Sequence, residues 1–591
     1  MIKLFSYLRP HWLATLLAPL LMLLEVCMDL LQPILMASII DKGVLASDFA
    51  FIRDTGLLML GAALIGLAGG VGCTVFSSIA SMRFGADLRQ DLFRKVQTFS
   101  FRNLDELKTG SLITRLTGDI VQLQTMVQML LRIFVRSPLL AIGSIVMAVI
   151  LSPKLAAILA IAVPLLFAVM FLLIRKTLPL FSTVQMRMDR VNTVLQENFS
   201  GIRVAKAFVR QTYENDRFGR ANADYTDVAI KAQRLVAVNM PILTMILNVC
   251  IVTVLLLGGR QAIDGSFDVG RLVAFINYVT QVLFSVSSVA MMLVRISSAK
   301  VSADRIQEVM ATEPDIVSAA GPELVGGPVA AGEWTGEGTG EGKGEVTFDR
   351  VTFAYGHGDQ AVLRELSFSV RPGQNVAIIG ATGSGKTSLV GLIPRLYDAS
   401  RGRVLIDGRD VRDYELQALR RRIGIVLQES ILFTGSIRDN IRFGKPEASD
   451  EEVIAAAQAA QAHEFIAAMP EGYDTRLGQR GINLSGGQKQ RISIARALIM
   501  QPDILILDDS TSAIDMGTES RIQAALARLM QGRTSFLVAQ RISSVLDADK
   551  ILVLDEGRLV AEGTHSELLA SCELYQDIYR SQLGKEEPSY G

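Results

Sequence analysis

Around residue 380 the chain reads Gly380-Ala-Thr382-Gly383-Ser384-Gly385-Lys386-Thr387-Ser388. Glycines at these spacings let successive backbone N–H groups curl around an anion, and a helix opening at Lys386 adds the positive end of its dipole. Lys386 brings a cation on a long stem, and the Thr387 hydroxyl is a ligand for a hard divalent cation. The apolar run NVAIIG precedes the motif and TSLVGLIPRL follows it. That is the strand–loop–helix setting a phosphate-binding loop requires. A second chemical element is Ile504-Leu-Ile-Leu-Asp508-Asp509. Alone, it describes any buried strand leaving a sheet. Beside a phosphate loop, Asp508 is expected to hold Mg²⁺ directly or through water.

The third element, Leu484-Ser485-Gly486-Gly487-Gln488, stands before KQRISIARALI and makes another anion-receptive helix start. Singly, these residues also fit an ordinary helix cap. One chain has no use for two such helix starts on one terminal phosphate. The second is therefore expected to face a nucleotide held by another subunit.

A different chemistry is signalled near the N-terminus. Glu25 and Asp29 lie four residues apart in an apolar stretch, on one helix face, followed by Gln32 and Pro33. An ionisable group at membrane depth is costly and faces a cavity or a partner. Two roles fit: an acidic wall that attracts cationic amphiphiles, or a hydrogen bond holding another helix. Asn277, Tyr278 and Gln281 are further polar candidates late in the apolar half, where such residues also join helices.

These groups need scaffolds of two kinds. The chain has 591 residues, enough for two or more domains, and its excess of apolar residues lies before about Ile296. Six stretches are long and apolar enough to cross a bilayer: Trp12–Ile39, Leu57–Ser81, Ser137–Leu151, Leu155–Ile174, Met240–Ile263 and Val269–Val294. Arg132 and Arg136 precede the third, whose helix is expected to continue into water. Lys and Arg concentrate between spans two and three and between spans four and five. Those segments, and both termini, are therefore expected on the cytoplasmic side of the cell membrane. Met1–Pro10 has the look of an interfacial helix rather than a signal peptide.

The Gly-rich stretch GEWTGEGTGEGKGE marks residues 311–344 as a linker between a membrane domain (1–310) and an α/β domain (345–591). In the latter, short β-rich runs alternate with helical ones, the pattern of a parallel sheet. Cys27, Cys73, Cys250 and Cys572 show no disulfide or zinc spacing. A net charge of zero gives no field to recruit nucleic acid.

Taken together, the second half resembles an ATP-binding-cassette (ABC) nucleotide domain, and the whole chain resembles an ABC exporter half-transporter. The resemblance implies a polytopic α-helical membrane domain of six helices fused to an α/β phosphate-loop cassette, with ATP and Mg²⁺ as cofactors. It implies that Tyr355 stacks on adenine, that Gln428 touches the metal, and that Ser512–Asp515 contacts a second subunit. It also places two segments that dock on nucleotide domains at Thr109–Leu112 and Gly201–Phe208. The implied partners are a second half-transporter, a small hydrophobic substrate and membrane lipid.

Two positions depart from the family pattern, and both concern hydrolysis. The residue after the metal-binding acid is usually glutamate and is here Asp509. The usual histidine before Arg541 is Gln540. Losing a methylene withdraws the carboxylate, and glutamine cannot exchange a proton near neutral pH. Thr475–Gly481 also lacks two glutamates often found there. With the signature at Ser485 intact, the pattern resembles the degenerate-site subunit of a heterodimeric bacterial multidrug exporter, its partner keeping the glutamate and histidine. The resemblance also admits a lipid flippase, a peptide exporter or a regulatory ATP-binding scaffold.

Overall fold

The computed structural model describes residues 2–318, 344–356, 360–509 and 516–583. They form two compact units: residues 1–96 with 110–311, and residues 97–109 with 312–591. Most of the expected Gly-rich linker, residues 319–343, lies outside the described residues, as does the Ser512–Asp515 loop.

The first unit is helical. Its elements are α1 (Trp12–Ser38), α2 (Phe49–Gln97), α4 (Thr109–Thr114), α5 (Ile120–Leu151), α6 (Pro153–Ser200), α7 (Ile202–Ala207), α8 (Gln211–Ala237), α9 (Asn239–Ile263) and α10 (Val269–Ala311). A further short helix, α3 (Phe101–Leu107), belongs to the second unit. Among the described residues, six helical stretches are long and apolar enough to cross a membrane. They run well past the lengths needed to do so. The 49 residues of α2 extend about 74 Å, against roughly 30 Å of hydrocarbon. Outward Leu, Ile and Phe side chains such as Leu64 and Phe171 stay exposed, as lipid-facing residues do.

Some polar groups inside this unit join helices, while others bond their own helix. Tyr278 is fully buried and its hydroxyl donates to the Leu30 carbonyl at 2.6 Å. Ser144 donates to Gln281 at 2.8 Å, tying α5 to α10. Asn277 instead donates to Val273 on its own helix. Asp41 accepts the Gly270 N–H at 2.6 Å, a distant carboxylate capping the start of α10. Gly270 is required there, because a Cβ would stand 2.3 Å from the Ala37 carbonyl. The N-terminal segment Ile2–His11 is a 3-10 helix held to α2 through Tyr7–Asp91 and His11–Asp87.

The second unit carries two main sheets. Strands β1 (Val346–Phe353), β2 (Leu363–Val370), β4 (Arg401–Ile406) and β5 (Arg409–Asp410) form an antiparallel sheet in the order β2-β1-β4-β5. The other sheet uses β3 (Asn375–Gly380), β6 (Ile423–Val426), β9 (Ile504–Asp508), β10 (Thr534–Val538), β11 (Lys550–Asp555) and β12 (Arg558–Gly563). Its order is β12-β11-β3-β10-β9-β6, parallel apart from the β12 edge. A short pair, β7 (Gly435–Ser436) and β8 (Arg476–Leu477), lies in the helical part. The parallel strands read as unbroken apolar runs because both faces are covered; every residue of β9 is buried.

The segment that clusters with this unit is 97–109, which takes in the first residue, Thr109, of the stretch expected to dock there. Ser100 starts α3 with a capping box to Asn103, and Lys108 ends it with a left-handed backbone (φ 57°). Thr109–Leu112 instead opens α4, the beginning of the next long helix. Asn103 holds the chain by donating to the Glu313 carbonyl and accepting the Asp315 N–H.

Candidate functional site

The order of the parallel sheet assembles the site. Chain stretches leaving β3, β10, β9 and β6 emerge side by side at the same sheet edge. They carry, in turn, the phosphate loop, Gln540, the Asp508–Asp509 pair and Gln428. Four segments far apart in sequence therefore meet because the strands that carry them are neighbours.

The loop between β3 and α11 (Lys386–Leu392) has Gly383 and Gly385 in left-handed conformations, φ 86° and 95°. At Gly385 a side chain would also strike Leu363, 2.6 Å from the Cβ position. Only glycine is at ease in such a conformation, and it leaves the backbone N–H groups turned inward. Lys386 folds back over the loop, its ammonium donating to the Gly380 and Ala381 carbonyls at 2.9 and 2.8 Å. Burial pushes its pKa down, opposed by the nearby charges of Asp509 and Asp508. Ser384 is buried and its hydroxyl finds no hydrogen-bond partner among the described residues. A buried donor aimed into a nest of backbone N–H groups is what a phosphate would satisfy.

Thr387 donates to Asp508 at 3.0 Å, so the expected hydroxyl and carboxylate do come together. The donors are hard oxygens, and both sit at the phosphate loop, which suits Mg²⁺. Burial is the main reason both acids lie above the usual carboxylate range. For Asp508 the adjacent Asp509 charge adds to the rise, while the Thr387 bond works against it.

Asp509 has a left-handed backbone, φ 46°, with its N–H donating to the Val538 carbonyl. Asp is among the few side chains that tolerate that region. Its carboxylate accepts from the Gln540 amide at 2.7 Å and from the Gln428 amide at 3.4 Å. The two altered positions are therefore direct partners, a pairing that spacing alone does not reveal.

Tyr355 presents an exposed ring beside the loop, and its hydroxyl pairs with Ser388 of α11 at 2.8 Å. The ring packs edge-on against Phe353 and Tyr397. Tyr397 in turn touches Phe101 and donates to Asp105 at 2.9 Å, both on α3. Sequence reading passed over Tyr397 because an aromatic in LIPRLYDAS carries no motif.

The signature residues Ser485, Gly486, Gly487 and Gln488 form a true helix start. Ser485 caps the helix Gly486–Leu498 by accepting the Gln488 N–H at 3.3 Å, and Gln488 reaches back to the Ser485 N–H. Ser485 is exposed, so its N-terminal face is open to a ligand outside this unit's own loop.

In the membrane unit, Glu25 and Asp29 line one cleft between α1 and α2, and both approach Arg136 of α5. Arg136 donates to Asp29 at 2.8 Å and lies 3.3 Å from Glu25. Arg136 therefore faces the middle of α1, and α5 continues before it as far back as Ile120. A 15-residue third span was too short because it was cut at this arginine. Gly69 brings the two helices together, since a Cβ there would lie 2.9 Å from the Leu21 carbonyl.

Comparison with known families agrees with this geometry. Residues 15–286 match the ABC transporter transmembrane region and residues 363–512 match the ABC transporter domain. This chain is an ABC exporter half-transporter. It is 42% identical over 584 residues to the uncharacterized ABC transporter ATP-binding protein YfiB of Bacillus subtilis (strain 168), covering 99% of each chain. It is 35% identical over 570 residues to an ATP-dependent lipid A-core flippase of Syntrophus aciditrophicus (strain SB), covering 93% of this chain and 92% of that one. A bacterial Atm1-family ABC exporter solved with ATP bound superposes with a TM-score of 0.77 at 28% identity, over 98% of this chain and 99% of that one. The half-transporter is accordingly a multi-pass membrane protein with an ATP-hydrolysing cassette, built to work as a pair.

Proposed function

We propose that this half-transporter exports hydrophobic amphiphiles across the cell membrane as one subunit of a heterodimer, and that its own ATP site is the slow one of two. The observation that carries the second statement is the bond from Gln540 to the Asp509 carboxylate. A residue meant to orient and deprotonate water is short by one methylene and is held by an amide that neither takes up nor releases a proton near neutral pH. Thr387, Asp508 and Gln428 would hold Mg²⁺, which neutralises charge on the transferred phosphoryl group. Ser384, Lys386 and the loop N–H groups bind the phosphates, and Tyr355 carries adenine. Ser485 and its glycines complete the partner's site, where a glutamate and a histidine perform the hydrolysis. Both termini and the cassette lie on the cytoplasmic side.

For cargo, Glu25 and Asp29 share the single guanidinium of Arg136, and the carboxylate left over favours a positively charged group on an amphiphile of the multidrug type. A lipid-flipping role is the second reading, favoured by the likeness to a lipid A-core flippase.

The test is steady-state ATPase of the assembled dimer carrying Ser485→Arg or Asp509→Asn. The first should remove nearly all activity by placing a guanidinium where the partner's nucleotide meets the signature. The second should have a modest effect. A larger loss from Asp509→Asn would make this chain's own site the working one.

A further inference from the structure

The cleft between α1 and α2 has a volume of about 630 Å³, and Arg132 of α5 lines it together with Glu25, Asp29 and Gln32. Much of the remaining wall is apolar, Leu67 and Val71 among it. Its charges fall into two unequal groups. Glu25 and Asp29 share the single guanidinium of Arg136, which leaves one negative charge over. Arg132 lies one helical turn before Arg136 and makes no hydrogen bond or ion pair among the described residues, which leaves one positive charge over. A charge at the level of mid-α1 is costly in hydrocarbon unless it is matched. A cleft that keeps one unmatched charge of each sign is complementary to an occupant that also carries both.

Room for that occupant depends on the glycines of α2. Glu25 turns one carboxylate oxygen onto Gly70, 2.8 Å from where a Cβ would stand, and Gly66 lies against Met28. Side chains at those positions would fill the floor and displace the carboxylate. Asp29 is the more exposed of the two acids, and it remains reachable from the cleft while paired.

We propose that this cleft binds a zwitterionic phospholipid of the bilayer, with its phosphate on Arg132, its ammonium on Asp29 and its chains along the apolar wall. This deepens the cargo reading above and rests on it: the positive group expected from the acids remains, and Arg132 adds a negative one.

The experiment measures binding of three probes to the purified, assembled transporter. They share one fluorescently labelled acyl chain and end in phosphoethanolamine, phosphoglycerol or trimethylammonium. The zwitterion should bind about fivefold or more tighter than either singly charged probe. Arg132→Gln should weaken the zwitterion and the anion about tenfold and leave the cation unchanged, while Arg132→Lys keeps most of the affinity. Asp29→Asn should weaken the zwitterion and the cation but not the anion. Because Asp29 also pairs with Arg136, a variant that fails to assemble leaves the two Arg132 substitutions to decide. Soluble phosphoethanolamine should not displace the probe at comparable concentration. Displacement by it, equal binding of all three probes, or zwitterion binding unmoved by Arg132→Gln would overturn the proposal. Cation binding tighter than zwitterion binding would also overturn it while leaving a multidrug cargo standing. The Ser485 and Asp509 comparison is untouched by any of these outcomes, so the two readings fail separately.

Discussion

In the membrane cleft and in the phosphate site two carboxylates stand near a cation, in opposite arrangements, and the cleft adds a second cation, Arg132. In the cleft, Glu25 and Asp29 are paired directly to Arg136. In the phosphate site, Lys386 turns away from the acids to donate to two backbone carbonyls. Asp508 and Asp509 accept side-chain hydrogen bonds from neutral donors, Thr387, Gln428 and Gln540. Direct pairing consumes charge, and a group so consumed chiefly holds helices together. Charge met by neutral donors stays available for a metal and a phosphate. Burial then makes the unliganded acids uncomfortable, as their raised pKa values record. The same residue types therefore give mainly structure in one place and chemistry in the other.

The contrast can be tested in order of expected effect. The largest change should come from restoring chemistry in the phosphate site. Asp509→Glu combined with Gln540→His should raise ATP turnover by the purified chain about 10²-fold, the scale associated with an error near 1 Å in a reacting group. Turnover unchanged by the double substitution would mean that the amide at Gln540 is not what limits the site. Lys386→Ala comes next. It removes the ammonium that rests on carbonyls until a phosphate claims it, so ATP binding should weaken at least about tenfold with little change in melting temperature. A large fall in melting temperature would place Lys386 with the structural charges instead.

Arg136→Gln tests the other side of the comparison. It leaves two carboxylates without their partner, and because Arg136 and Asp29 are both partly exposed the loss is on the order of 1 kcal/mol. The membrane unit should melt several degrees lower, while nucleotide affinity of the cassette stays as it was. The smallest effect concerns pH. Raised pKa values at Asp508 and Asp509 mean that the folded, nucleotide-free site favours their protonated forms. Their contribution to stability is present below the ordinary carboxylate pKa and is lost as pH rises through the raised values. Mg²⁺ with a non-hydrolysable ATP analogue binds the deprotonated acids. Its stabilising shift should thus be larger near pH 7.5 than near pH 5. An equal shift at both values would mean that metal binding is not linked to these protons.

Legibility in the sequence followed the range of the interactions. The phosphate loop, the signature cap and the six apolar helices are local patterns, set by glycine conformations, a Ser–Gln capping box and runs of apolar residues. All could be read directly. The Asp509–Gln540 pair was read as two separate oddities, because only the order β10-β9 makes neighbours of residues that far apart. Charge ends an apolar run in sequence, so the pairing of Arg136 with two acids on another helix is not legible there. That residues 97–109 group with the cassette is not legible locally. Asn103 bonds to residues more than two hundred positions away, which no local pattern records.

That last feature bears on how such transporters can be recombined. The unit that handles ATP is not one continuous length of chain: α3, encoded between two membrane helices, is part of it. A hybrid made by exchanging only the C-terminal cassette would join Tyr397 to a foreign α3 and lose the match with Asp105 and Phe101. Inheritance of the cassette is therefore tied to a short stretch near residue 100, and the two pieces should travel together in any functional chimera.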